Sequence, residues 1–213
     1  MNQAIADIRK DYKLRSFSED EAATNPFEQF KNWFDEAIES NIDEVNAMTL
    51  ATVNEEGKPS ARIVLLKGMS ENGFTFYTNY ESHKAKEMAG NSNVALVFFW
   101  KELERQIRIE GSVKKTPDDV SDTYFNSRPA ESRIGAWSSP QSAIIASREI
   151  LEKNVMEIKN KFEGKEITRP TFWGGYTVEP VMFEFWQGRS NRLHDRIEYV
   201  KDEIEWIKRR LAP

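Results

Sequence analysis

Between residues 47 and 115 the sequence offers five short β-rich runs, 47–53, 62–67, 74–78, 94–100 and 105–115. Asn54-Glu55-Glu56-Gly57 and Ser70-Glu71-Asn72-Gly73 separate the first three and are turn sequences. Consecutive strands joined by tight turns pair antiparallel, so this stretch predicts a meander. A polar, helix-prone segment at 81–88 interrupts it once, without the strand–helix–strand rhythm of a parallel sheet. The run 94–100 is almost continuously apolar and 105–115 alternates, as strands packed on two faces and on one face do. Such a sheet must cover or close its edges, and a small barrel is the economical solution. The expectation is a mainly β, α+β chain: an antiparallel, Greek-key-like barrel with peripheral helices.

The flanking segments supply the helices. Asn25-Pro26-Phe27-Glu28 combines an N-cap, a proline in the first turn and an acid, with Phe27, Phe30, Phe34 and Ile38 following at helical spacing, so a helix is predicted over 26–40. Thr116-Pro117-Asp118-Asp119 starts a second helix, to about residue 127, which Arg128-Pro129 interrupts. A third is predicted over 142–162, closed by Gly164. Strands are expected at 173–178, 181–187, 193–200 and 204–208. Residues 1–24 read as a tail or a movable lid, and 25–213 as one domain, because 213 residues hold one sizeable core.

Composition narrows the chemistry. With no cysteine there is no disulfide, thiolate nucleophile or Cys-ligated metal, and two histidines, His83 and His194, make a His-based metal site unexpected. A net charge of -5 argues against a general nucleic-acid or anionic-membrane binder, so an anion site must be a local concentration of cations. Neither an apolar signal core at the N-terminus nor a membrane-spanning apolar run is evident, and a cytoplasmic location is expected.

Four stretches concentrate positive charge. In Phe183-Glu184-Phe185-Trp186-Gln187-Gly188-Arg189-Ser190-Asn191-Arg192-Leu193-His194-Asp195-Arg196 an alternating aromatic strand meets turn chemistry, and Arg192, His194 and Arg196 are expected on one face of the returning strand. Such a hairpin suits a planar anion; a solvated strand face fits the spacing equally well. Arg62-Ile63-Val64-Leu65-Leu66-Lys67 carries cations of opposite parity, facing opposite sides of an ideal strand or simply meeting solvent at its ends. Tyr77-Thr78-Asn79-Tyr80-Glu81-Ser82-His83-Lys84 places a hydroxyl, a histidine and a lysine at a helix start, an anion site or an ordinary capped helix. Tyr124 and Arg128 lie one helical turn apart with Ser132 beyond, a phosphate clamp or a surface pair, and Gln141-Ser142 begins the next predicted helix.

Together these segments resemble the pyridoxine (pyridoxamine) 5'-phosphate oxidase family. The Glu-x-Trp-Gln and Arg-Leu-His-Asp-Arg elements of residues 184–196 carry the likeness, joined by the Arg62–Lys67 run, Tyr77-Thr78-Asn79, Ser127-Arg128-Pro129 and Ile134-Gly135-Ala136-Trp137. The resemblance implies an FMN-binding split barrel, a homodimer with FMN at the subunit interface, and oxidation of a phosphorylated B6 vitamer at its 4' carbon, oxygen being reduced to hydrogen peroxide. It implies an FMN set of Arg62, Ile63, Val64, Leu65, Leu66, Lys67, Tyr77, Thr78, Lys84, Gln106, Gln141, Ser142, Trp186 and Arg196. The substrate phosphate falls to Lys67, Tyr124, Arg128 and Ser132. Arg192 and His194 hold the ring and stand as the catalytic pair, with Arg9 and Tyr12 closing as a lid. His83 departs from the arginine usual beside Lys84. An imidazole carries charge only when protonated, so FMN affinity is expected to weaken as pH rises from 6 to 8. The rival readings are another flavin enzyme on the same barrel, phenazine-pathway-like or a flavin reductase, and a protein that binds FMN or pyridoxal phosphate without turnover.

Overall fold

The computed structural model describes residues 5, 7, 8 and 10–213. In chain order the described elements are helix α1 (Pro26–Glu39), strands β1 (Ala47–Val53), β2 (Pro59–Leu65), β3 (Gly68–Ser70) and β4 (Gly73–Asn79), helix α2 (His83–Gly90), strands β5 (Asn93–Trp100) and β6 (Arg105–Lys115), helices α3 (Asp118–Ser127), α4 (Ala130–Ser138) and α5 (Arg148–Lys161), strand β7 (Trp173–Gln187), a 3-10 turn (Ser190–Arg192), and strands β8 (Asp195–Asp202) and β9 (Glu205–Arg210). The strands follow one hydrogen-bonded path, β2-β1-β5-β6-β7-β4-β3, with β8 on β7 and β9 on β8. The pairs β3/β4, β4/β7, β7/β8 and β8/β9 are antiparallel.

The chain divides into two compact units. The first comprises residues 1–49, 95–111 and 180–213, the second 50–94 and 112–179, and β1, β5, β6 and β7 run through both. In the first unit α1 starts where expected: Asn25 Oδ1 accepts from Phe27 N at 2.8 Å and Pro26 opens the first turn. Its buried face, Phe30, Trp33 and Ala37, packs an aromatic core: Phe30 lies 5.1 Å from Phe98 and Trp33 5.4 Å from Phe185. Each such ring contributes roughly 1.5–3 kcal/mol by leaving water. The segment before α1 joins this core, since Phe17 sits 4.9 Å from Trp33 and the Tyr199 hydroxyl donates to Ala23 O at 2.6 Å. In the second unit Phe74, Phe76 and Val178 are fully buried, and Phe76 stacks on Tyr176 at 5.8 Å.

Several boundaries differ from the sequence reading. Strand β2 ends at Leu65 rather than Lys67, and a three-residue β3 follows. The interruption at Arg128-Pro129 is as read, but helix α4, over residues to which no element was assigned, follows it directly, because Pro129 fits the position before a helix as well as it fits a break. Residues 139–147 form a loop in which Ser142 takes φ 71, so α5 starts six residues later than expected. Two expected strands, 173–178 and 181–187, are one, β7. It pairs with β4 over 173–178 and with β8 over 182–187, and Pro180 falls between the two registers, where neither β4 nor β8 takes an N–H from it. Among the described residues no helix is long and apolar enough to cross a membrane.

Candidate active site

In the second unit one cavity of about 560 Å³ gathers most of the predicted cations. Arg62, Ile63, Val64 and Leu65 of β2 line it, with Lys67 just beyond the strand, Tyr77 and Thr78 from the end of β4, and Lys84 from the first turn of α2. Opposite parity in an ideal strand was expected to separate Arg62 from Lys67. It does not, because β2 ends at Leu65 and the chain turns before Lys67. Tyr124, Arg128, Ser132 and Gln141 complete the predicted members, and Trp173 is an addition. Six residues of the predicted FMN set do not line the cavity: Gln106, Trp186 and Arg196 belong to the first unit, Leu66 is 7% exposed, Ser142 sits in the 139–147 loop, and His83 is exposed, its Nδ1 3.7 Å from Glu87 Oε1.

Two of the cations, Arg62 and Lys84, are held in place by hydrogen bonds. Arg62 donates to Leu50 O at 3.2 Å and Thr52 Oγ1 at 2.5 Å through Nη1, and to Ser60 Oγ at 2.5 Å and Glu87 Oε2 at 3.1 Å through Nη2. Burial pushes the Glu87 carboxyl up, but hydrogen bonds from Thr52 and Ser60 and the charges of His83 and Arg62 outweigh it, so Glu87 sits below the usual carboxylate range. Lys84 Nζ donates to Gln141 Oε1 at 2.9 Å and Thr78 Oγ1 at 3.2 Å, while burial, and then the charge of Arg62, lowers its pKa. Ser82 precedes its helix as the N-cap and its side chain makes no capping bond, which leaves first-turn N–H groups for a ligand.

Aromatic rings form the other wall. Tyr77 stacks on Tyr124 at 3.9 Å and on Trp173 at 5.5 Å, and the Arg128 guanidinium lies 4.7 Å over the Trp173 ring. Burial raises both tyrosine pKa values, so the phenols stay protonated donors. Burial also lowers the Arg128 pKa, and its Nη1 is buried without a hydrogen-bond partner. A buried donor without a partner costs roughly 1–3 kcal/mol. An anion reaching it removes that cost. The lining carries four cations and no carboxylate, which fits a phosphorylated ligand.

The first unit carries a second cavity, of about 550 Å³, at the turn of the β7/β8 hairpin. Arg192, His194 and Tyr12 line it; Arg9, assigned with Tyr12, lies outside the described residues. The hairpin is as expected, but Arg192, His194 and Arg196 do not share a strand face. Strand β8 begins only at Asp195, and Asn191 and Arg192 adopt left-handed φ of 57 and 61 in the preceding turn. Arg189 N donates to His194 Nδ1 at 3.1 Å, which leaves Nε2 as the protonated nitrogen. Burial, then the charge of Arg192, lowers the His194 pKa, with Asp195 opposing. Trp186 lies 4.5 Å from the His194 ring and pairs across the hairpin with Arg196. Arg196 donates to Glu184 Oε1 at 2.8 Å and Ala212 O at 2.7 Å, and Gln106 sits half-buried on β6.

Sequence reasoning missed the carboxylates behind these cations, Glu87 behind Arg62 and Glu184 behind Arg196 and Arg108. It also missed Trp173. Glu184, set between Phe183 and Phe185, carried a signal; Glu87, within the polar segment 81–88, carried none.

Residues 34–162 match the protein family described as "Pyridoxamine 5'-phosphate oxidase", and residues 173–213 match "Pyridoxine 5'-phosphate oxidase C-terminal dimerisation region". The chain is 55% identical to the pyridoxine/pyridoxamine 5'-phosphate oxidase of Trichormus variabilis and 54% identical to that of Leptospira interrogans, with all of each chain covered. Among solved structures it resembles PhzG from Burkholderia lata in complex with tetrahydrophenazine-1-carboxylic acid. The two are 28% identical with a TM-score of 0.88, covering 94% of this chain and 99% of that one. A pyridoxamine 5'-phosphate oxidase-related, FMN-binding protein from Nostoc punctiforme shares the fold at 16% identity and a TM-score of 0.70, covering 90% of this chain and all of the other.

Proposed function

We propose a function from one premise: this chain belongs to the pyridoxamine 5'-phosphate oxidase family. It is an FMN-dependent oxidase that converts pyridoxine 5'-phosphate or pyridoxamine 5'-phosphate to pyridoxal 5'-phosphate, acting as a homodimer with FMN at the subunit interface. The observation that carries the reading is the cavity with four cations, no lining carboxylate and an unpartnered, buried Arg128 Nη1.

When bound, FMN supplies the hydride acceptor and passes the electrons to oxygen, yielding hydrogen peroxide. The chain's own residues bind and orient. Arg62 and Lys84 hold the FMN phosphate, fixed in advance by Glu87 and Gln141 so that little ordering is left for binding. Ile63, Val64, Leu65, Leu66, Lys67, Tyr77, Thr78, Ser142, Gln106, Trp186 and Arg196 would complete the FMN set, drawn from both subunits; His83, exposed and off the cavity lining, belongs to it by family resemblance alone. Lys67, Tyr124, Arg128 and Ser132 take the substrate phosphate. Arg192 and His194 set the pyridine ring with its 4' carbon toward the acceptor, and Arg9 and Tyr12 close over it. His194 enters neutral, offering Nε2–H as a hydrogen-bond donor. The substrate's 4' carbon gives up a hydride and its heteroatom a proton; from the amine, the resulting imine adds water to give the aldehyde and ammonia.

The test is spectroscopic. Adding pyridoxine 5'-phosphate to the yellow holoprotein without oxygen should bleach the flavin bands, and air should restore them. A holoprotein that stays yellow would leave FMN binding without turnover as the better account. Arg192→Ala is expected to slow the bleaching at least about tenfold, since it removes a charged orienting contact. An unchanged rate would remove Arg192 from that role.

A further inference from the structure

The buried carboxylate of Glu104 has no part in the chemistry above. Glu104 forms the turn between β5 and β6, takes φ 54, and is 4% exposed. Its Oε2 accepts from the backbone N–H of Lys13 at 2.9 Å and of Leu14 at 3.1 Å, and Oε1 lies 3.4 Å from Lys10 Nζ. Its own carbonyl accepts from Gly188 N at 2.7 Å and Gln187 Nε2 at 3.3 Å. One residue therefore ties segment 10–14 to the strand end that leads into the Arg192/His194 turn. Between those two attachments lies Tyr12. Its carbonyl accepts from Ser190 Oγ at 3.2 Å, and its ring stands edge-on to Trp186 at 5.7 Å and His194 at 6.0 Å. The ring sits on Gly188, where an added Cβ would come within 2.8 Å of Tyr12 Cβ and Cγ.

We infer that Glu104 is a positioning residue: its carboxylate latches segment 10–14 through two backbone amides and so seats Tyr12 against the pocket of Arg192 and His194. The physical ground is that a buried carboxylate demands donors, and the two N–H groups it uses belong to a stretch outside any helix or strand. Without the carboxylate the bonds from Lys13 N and Leu14 N and the contact with Lys10 are lost, while the Glu104 carbonyl still accepts from Gly188 and Gln187. The inference rests on the proposed role of Tyr12 in closing over the substrate.

The holoprotein carrying Glu104→Ala tests it, with pyridoxine 5'-phosphate as substrate and trypsin as a probe of the basic sites at Lys10, Lys13 and Arg15. KM is expected to rise about tenfold, with kcat changing less, and cleavage within 10–15 to speed up about tenfold, while FMN content stays that of the parent. Glu104→Gln keeps an acceptor for the amides and should restore both readouts to within about threefold. Gly188→Ala, which crowds Tyr12 with the carboxylate intact, should raise KM without loosening the amides at 13 and 14. Parental KM and cleavage in Glu104→Ala overturn the inference, as does a rise in KM accompanied by loss of FMN or of the cooperative thermal transition. Faster cleavage with unchanged KM overturns it too. That result speaks against closure by Tyr12 and leaves the oxidase reading to the flavin bleaching, which does not depend on Glu104.

Discussion

At the scale of single residues, His194 shows how a short loop sets a protonation state. The Arg189 N–H occupies Nδ1, and burial together with the Arg192 charge disfavours the imidazolium. A depressed pKa keeps the ring neutral at pH 7 and delays its protonation on acidification. The acid limb of kcat/KM for pyridoxine 5'-phosphate is therefore expected below the ordinary histidine value of about 6.5. A profile already falling between pH 8 and 7 would contradict this. His194 itself was legible in the sequence, standing between Leu193 and Asp195 near two arginines. Its tautomer was not, because the donor is the backbone amide of Arg189, five residues back, and the turn that returns the chain to it takes left-handed φ at Asn191 and Arg192. Neither residue type demands that conformation, although asparagine tolerates it well.

At the scale of elements, β7 organises the second unit's aromatic wall. Its Gly174 and Gly175 lie against Tyr80, Ser121, Thr116 and Tyr77, and a Cβ at 174 would come 2.1 Å from the Tyr80 hydroxyl. That ring cannot easily move, since Tyr80 Oη donates to Gly175 O at 3.2 Å and the ring stands 5.4 Å from Tyr176. Gly174→Ala is expected to cost roughly 1–3 kcal/mol, read as a lower midpoint in urea with an unchanged slope. An unshifted midpoint would mean the wall yields more than its packing indicates. The strand's existence was visible as two β-rich runs, yet its continuity was not. Pro180 breaks the local pattern, and only the change of partner from β4 to β8 explains why the break is harmless.

For the molecule as a whole, acid should be the weak direction. Glu87 in one unit and Asp195 in the other are both held below ordinary carboxylate values. In each, burial works upward but is outweighed: by Thr52, Ser60, His83 and Arg62 at Glu87, and by Arg210, the Phe17 amide and Arg189 at Asp195. A depressed folded pKa gives stability that is fully present above the unfolded values near 4 and is lost as pH falls through the folded ones. The melting temperature is therefore expected to hold steady from pH 7 to about 5 and fall below about 4, with a shallower acid limb in Glu87→Gln. An equally steep limb in that variant would remove Glu87 as a contributor. The sequence by itself determined where most strands lie, though not β3 or the continuity of β7, together with the α1 cap, the absence of cysteine chemistry and the cations at 62, 67, 84, 128, 192 and 196. Periodicity, capping and side-chain charge are local properties. Only the tertiary structure decided which cations share a cavity, that Arg62 is fixed by a carboxylate 25 positions away, and that Glu104 reaches an amide 90 positions back. A buried charge takes whatever donors the fold delivers to it, and no local pattern in the chain records which those are.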